Sequence, residues 1–207
     1  TLFRSIAANP LGRALVMGNA FAEIASLPEG RGPIPRANVG LAGDGTIDLI
    51  AATDSMYDIV EAGNAACKEQ TEEGRRKIYA ALVNESVNQY NAQKVDEAQA
   101  LAERGLMIYD GNKLAYIAHN IVANAKQSKD DMDGAVLSFM KMTDLMKGDT
   151  ALVDERKSTM TNVAMLMLAH AEGLAQVVVG PEFEAKHAVE LFTARAQQQH
   201  RHGRAAL

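Results

Sequence analysis

At three comparable places in this chain an alanine is followed four residues later by an apolar partner: Ala98 with Ala102, Ala135 with Phe139 and Ala188 with Phe192. Each pair lies early in the second half of a segment that reads as helix, turn, helix. Small side chains at these positions let two antiparallel helices approach closely while larger neighbours interlock around them. One such hairpin cannot bury its apolar face alone, so a succession of them implies layers stacked on one another. That is a demanding constraint, and it points to a fold that makes surfaces.

Composition agrees on the class. Ala, Leu, Val and Met dominate the apolar residues, Trp is absent and aromatics are only 5%, which favours helices over β-sandwiches and barrels. The fold class expected is all-α. A formal net charge of −5 with no long run of one sign makes no footprint for a nucleic-acid backbone, so no nucleic-acid partner is expected. Cys67 is the one cysteine, which excludes an intrachain disulfide and zinc sites built on several thiolates. The apolar stretch Ala14 to Leu27 is broken by Gly18, Asn19 and Glu23 and is too short to span a bilayer. A soluble chain is expected, cytoplasmic or exported after removal of a leader. The Thr1 start suits a mature product, a boundary or a fragment.

Along the chain, Asn9 and Pro10 open a helix as N-cap and first helical residue, and it ends near Leu27 and Pro28. The run PEGRGPIPRANVGLAGDG, residues 28–45, resists helix and sheet alike and reads as an extended arm. Helix resumes near Ile47 with Thr46 as cap, and Leu49, Ile50, Thr53, Met56, Tyr57 and Val60 make its stripe. Further helices are predicted from about Glu73 to Asn91, Val95 to Ile108, Leu114 to Gln127, Met132 to Met146, Leu152 to Val179 and Glu182 to about Gln199. The resulting division is 1–45 as N-terminal helix and arm, 46–200 as helical-repeat domain and 201–207 as flexible tail.

Residues 75–200 resemble the tetratricopeptide repeat (TPR) family, whose unit reads W-x₂-L-G-x₂-Y, then A-x₃-F, then P. The first unit gives Val83-x₂-Ser86-Val87-x₂-Tyr90 followed by Ala98-x₃-Ala102. The second gives Ala118-x₂-Ile121-Val122-x₂-Ala125 followed by Ala135-x₃-Phe139, and the third Met160-x₂-Val163-Ala164-x₂-Met167 followed by Ala188-x₃-Phe192. Tryptophan is missing throughout, Asp110 and Gly148 stand where the closing proline belongs, and the units are longer than the family's 34 residues. The resemblance implies a TPR-like α-solenoid, stacked antiparallel hairpins whose first helices line a groove for an extended peptide or a partner helix. Carried onto this chain, the groove takes Asn84, Asn88 and Asn91, then Tyr116, His119 and Lys126, then Thr161 and Met165. Asparagine amides both donate and accept, which suits a peptide backbone. The plainer expectations are a solvated face for the asparagines, a satisfied helix histidine at His119 and a surface charge at Lys126.

Chemistry has no constellation here. Gly40, Gly43 and Gly45 do not follow a strand as a phosphate loop should, because Pro33-Ile34-Pro35 precedes them. Asp44 and Asp48 lack the further carboxylates of a calcium loop, and His187, His200 and His202 offer adventitious chelation at most. No cofactor, no resident metal and no catalysis are expected. Met132, Met140, Met142, Met146, Met160, Met165 and Met167 are expected mainly as packing, with one or two facing outward to mark an interface. Two functions remain: a noncatalytic scaffold for a protein or peptide partner, or a structural subunit of a homo-oligomer or larger assembly that uses residues 1–45 to contact neighbours.

Overall fold

A computed structural model describes residues 9–179. The predicted helix 182–199 with Ala188 and Phe192, the three histidines of the C-terminal stretch and the 201–207 tail lie outside the described residues. Within them the fold is all-α, with seven α-helices and one two-residue ladder.

Helix α1, Pro10–Ala25, starts as its residues require: Asn9 is extended and its side chain accepts from the Leu11 N–H at 3.0 Å, with Pro10 at the first position. Its buried residues, Ala14, Gly18, Phe21, Ala22 and Ala25, recur at three and four residue steps, so one face is apolar. Helix α2, Leu49–Gly63, is capped by Asp48, whose Oδ1 accepts from the N–H groups of Ile50 and Ala51 at 3.0 and 3.4 Å. Thr46, the cap expected from sequence, lies two residues too early and belongs to a strand. Asp48 also holds Arg104 through both carboxylate oxygens at 3.0 Å.

The segment between these helices is not an extended arm. Two 3-10 turns, Pro28–Gly30 and Arg36–Val39, flank β1, Ile34–Pro35, which pairs antiparallel with β2, Thr46–Ile47. Gly40, Gly43 and Gly45 carry φ of 69°, 91° and 97°, the left-handed backbone that reverses the chain between the strands. Arg36 Nε donates to the Ala42 carbonyl at 3.0 Å across the loop. Ile34, Val39, Leu41 and Ile47 then pack on the main core. The prolines and glycines forbid regular structure, but the four apolar residues among them supply a reason to fold back.

Helices α3 (Lys68–Asn91) and α4 (Val95–Tyr109) form a tight hairpin across Ala92–Lys94, where Gln93 takes φ 63°. Ala98 and Ala102 are fully buried, and Ser86 Oγ donates to the Ala98 carbonyl at 2.6 Å, so the backbones meet where small residues were expected. Helix α5, Tyr116–Gln127, follows a 3-10 turn at Lys113–Ala115. Helix α6, Met132–Leu145, is capped by Asp131 accepting from the Gly134 N–H, with Ala135 fully buried beneath. Helix α7 runs Val153–Val179.

Helices pair most extensively as α1 with α2, α3 with α4 and α5 with α6; α1 also meets α3, α3 meets α5, and α7 packs on α6. Tyr57 of α2 pins the first two pairs together. It is fully buried, its Oη donates to Asn19 Oδ1 at 2.9 Å, and only glycine fits beside it at Gly18 of α1 and Gly74 of α3. One apolar cluster runs from α1 to α5; a smaller one, built on Ala123, Phe139, Met142, Met146 and Leu166, joins α5, α6 and α7.

Candidate functional site

The exposed side of α3 is continuous: Glu73, Lys77, Ala80, Asn84, Asn88 and Asn91 follow at four and three residue steps and all face solvent. Apolar residues on the other faces hold this orientation, with Ile78, Tyr79, Leu82 and Val83 buried. On one flank Lys77 pairs with Glu23 of α1. On the other, Tyr79 Oη donates to the Leu114 carbonyl at 2.7 Å ahead of α5, and its burial pushes the phenol up to about 12. The asparagine stripe therefore lies between α1 and the start of the α5 unit.

Helix α5 corrects part of the expected groove. His119 is buried, with Nε2 2.6 Å from Asp110 Oδ1, while Asp110 Oδ2 accepts from Lys141 Nζ at 3.0 Å. Asp110 is partly buried, which alone raises its carboxyl, but His119 and Lys141 outweigh that and hold it below the usual range. His119 thus ties α5 to Asp110 at the end of α4, which Lys141 of α6 also holds, and is buried rather than open to a partner. Lys126 is seven residues on, half-buried on the same side. Tyr116 is half-buried against the smaller core cluster. Asn120, Asn124 and Gln127 of α5 are half-buried as well, with Asn124 Nδ2 donating to the carbonyl and side chain of Asn120 at 2.8 Å. The repeated i, i+4 spacing of Asn84–Asn88 and Asn120–Asn124 is the signal that sequence reasoning passed over. On α7, Thr161 is exposed, its hydroxyl donating to the Lys157 carbonyl, and Met165 is 63% exposed.

A polar cleft of about 280 Å³ lies on another side, between α2, α3 and the turn after α4. Arg75 donates to Asp54 and Asp58 at 2.8 Å each and to Glu61, all on α2. Burial lowers the Arg75 pKa, but Asp54 and Glu61 more than offset it and leave it raised. Burial likewise raises Glu61, and the Thr71 hydroxyl with Arg75 reverses that to a value below the ordinary 4.5. Glu72 accepts from Asn112 Nδ2 at 3.1 Å and from Tyr109 Oη at 3.4 Å. Arg75 and Glu61 are engaged with each other and Glu72 with neutral donors at the end of α4 and in the turn after it, so these contacts read as a clamp joining helices.

Among the described residues no three His, Cys, Asp or Glu side chains are grouped to hold a metal, and no helix is long and apolar enough to cross a membrane. Cys67 is half-buried ahead of α3. Comparison with protein-family models, curated proteins and solved structures gives no match.

Proposed function

We propose that this chain is a noncatalytic helical-repeat scaffold, TPR-like in its stacking, that holds an extended peptide of a partner protein across its first helices. The supporting observation is that α3 turns an asparagine row outward, with Asn84, Asn88 and Asn91 all exposed, and that α5, which meets it, carries a half-buried asparagine i, i+4 pair, Asn120 with Asn124. Such amides satisfy both the N–H and C=O of a passing backbone without demanding a charge. Asn91 continues the α3 row, and Thr161 and Met165 extend the reading onto α7.

The test selects peptides from a random heptapeptide phage library on the intact chain and measures them by calorimetry against Asn84→Ala/Asn88→Ala/Asn91→Ala. These residues are exposed, so the thermal midpoint should hold, while affinity falls by about tenfold or more, the loss of one or two net hydrogen bonds. Selection of no peptide, or equal affinity in the triple variant, rejects the reading.

A second reading, assembly with copies of itself, is favoured by apolar side chains left open near the N-terminus: Val16 at 54% and Met17 at 38% on α1, and Ile59 at 48% on α2. A concentration-dependent sedimentation coefficient that Val16→Asp abolishes would support it.

A further inference from the structure

A larger crevice, of about 430 Å³, opens between α1 and α3 at the start of the exposed α3 row. Its walls are Asn19 and Glu23 of α1 and Gln70, Glu73 and Lys77 of α3, all exposed. Gly74 leaves bare backbone in the floor, where Tyr57 fills the place of a side chain: a Cβ there would lie 1.9 Å from its Oη. Tyr57 is fully buried, so the wall residues are the groups open to a visitor. Lys77 is held by Glu23 across the gap, whereas Glu73 pairs with no cation among the described residues. Arg75, close by, is committed to Asp54, Asp58 and Glu61 of α2. One negative charge is therefore left uncompensated at the mouth. The Tyr57 phenol beneath it senses this field: burial raises its pKa, Arg75 lowers it, and Glu23 and Glu73 raise it, leaving it above the ordinary 10.0.

We propose that this crevice takes a basic side chain, lysine or arginine, of the peptide held at the asparagine row, with Glu73 as its charge partner and the amide oxygens of Asn19 and Gln70 as further acceptors. The volume lies within the roughly 300–1,000 Å³ usual for binding pockets. An acidic side chain would face Glu23 and Glu73 together, and an aliphatic one would find only polar groups on the exposed walls. The crevice and the row are one surface, because Glu73 and Lys77 belong to both. Lys77 and Asn84 are seven residues apart, about 10 Å along α3, a distance that an extended peptide covers in about three residues. The basic residue thus stands about three positions from the stretch that meets Asn84 and Asn88.

This inference rests on the peptide-binding reading and adds the class of peptide. Immobilised heptapeptide pools, random at six positions and fixed at the central one as Arg, Lys, Leu or Glu, are compared for retention of the full chain. The Arg and Lys pools should retain about threefold more than the Leu pool, and the Glu pool less. Glu73→Gln, nearly isosteric at an exposed position, should bring the Arg and Lys pools down to the Leu level with the thermal midpoint unchanged. Glu97→Gln removes the same charge from the exposed surface of α4 and should leave the preference intact. Equal retention on the Arg, Lys and Leu pools overturns the proposal. So does a preference that Glu73→Gln leaves in place, or one that Glu97→Gln removes equally. Failure of the crevice alone is distinguishable from failure of the peptide-binding reading: in the first case retention on every pool still falls in Asn84→Ala/Asn88→Ala/Asn91→Ala, and in the second it does not. Retention on no pool overturns both.

Discussion

Gly74→Ala tests the central claim about how the first two hairpins are joined. A Cβ at residue 74 would lie 1.9 Å from Tyr57 Oη, 2.6 Å from Cζ and 2.8 Å from Cε2. The ring has little room to swing toward α1, because it already lies so close against the Gly18 backbone that a Cβ added there would be 2.8 Å from Cε1. Overpacking of this kind costs about 1–3 kcal/mol, and displacing Oη from Asn19 adds about 1 kcal/mol for the lost hydrogen bond. Against this, alanine gains about 1 kcal/mol over glycine inside a helix. The balance is about 2 kcal/mol of destabilisation. With a urea slope of about 2 kcal/mol/M for a domain this size, the midpoint should fall by about 1 M. Gly105→Ala is the control: it is also buried in a helix, but its Cβ would find Tyr79 Cδ2 at 3.3 Å and Val83 Cγ2 at 3.4 Å, contacts that a small shift absorbs. That variant should keep its midpoint or gain. Gly74→Ala as stable as the unaltered chain would refute the role given to Tyr57.

Ala135→Leu should cost about 1–3 kcal/mol in chemical denaturation, because its methyl is fully buried where α6 crosses α5. Glu61→Gln should cost about 1 kcal/mol at pH 7 by removing one charged partner of Arg75, whose side chain is 13% exposed. Because the folded-state pKa of Glu61 lies below 4.5, its contribution is complete above that value and is lost as pH falls through the folded pKa; the cost of Glu61→Gln should be flat from pH 7 to 5 and shrink in more acid solution, read by urea titration. A cost that grows on acidification contradicts the sign.

Much of the helical framework was legible because local chemistry decides it. Asn9-Pro10 fixes the start of α1, and alanines at 98, 102 and 135 mark where backbones must approach. The 28–47 loop was misread because composition was weighed over four scattered apolar residues, Ile34, Val39, Leu41 and Ile47, which gain only through distant partners. His119 was misplaced for a related reason. Periodicity groups residues by face but does not say which face meets which neighbour, and Asp110 and Lys141, on other elements, decided it. Asn120 and Asn124 were lost with that choice of face.

The unequal sizes of the two apolar clusters carry a consequence for how the chain comes apart. Regions with few buried apolar contacts open locally before the whole unfolds. The larger cluster fastens α1 through α5, whereas α6 and α7 depend on a handful of side chains around Phe139 and Met146. Amide protons there should exchange with deuterium earlier than those around Tyr57 and Leu82, so that fraying starts from the α7 side and moves inward toward the glycine-lined tyrosine.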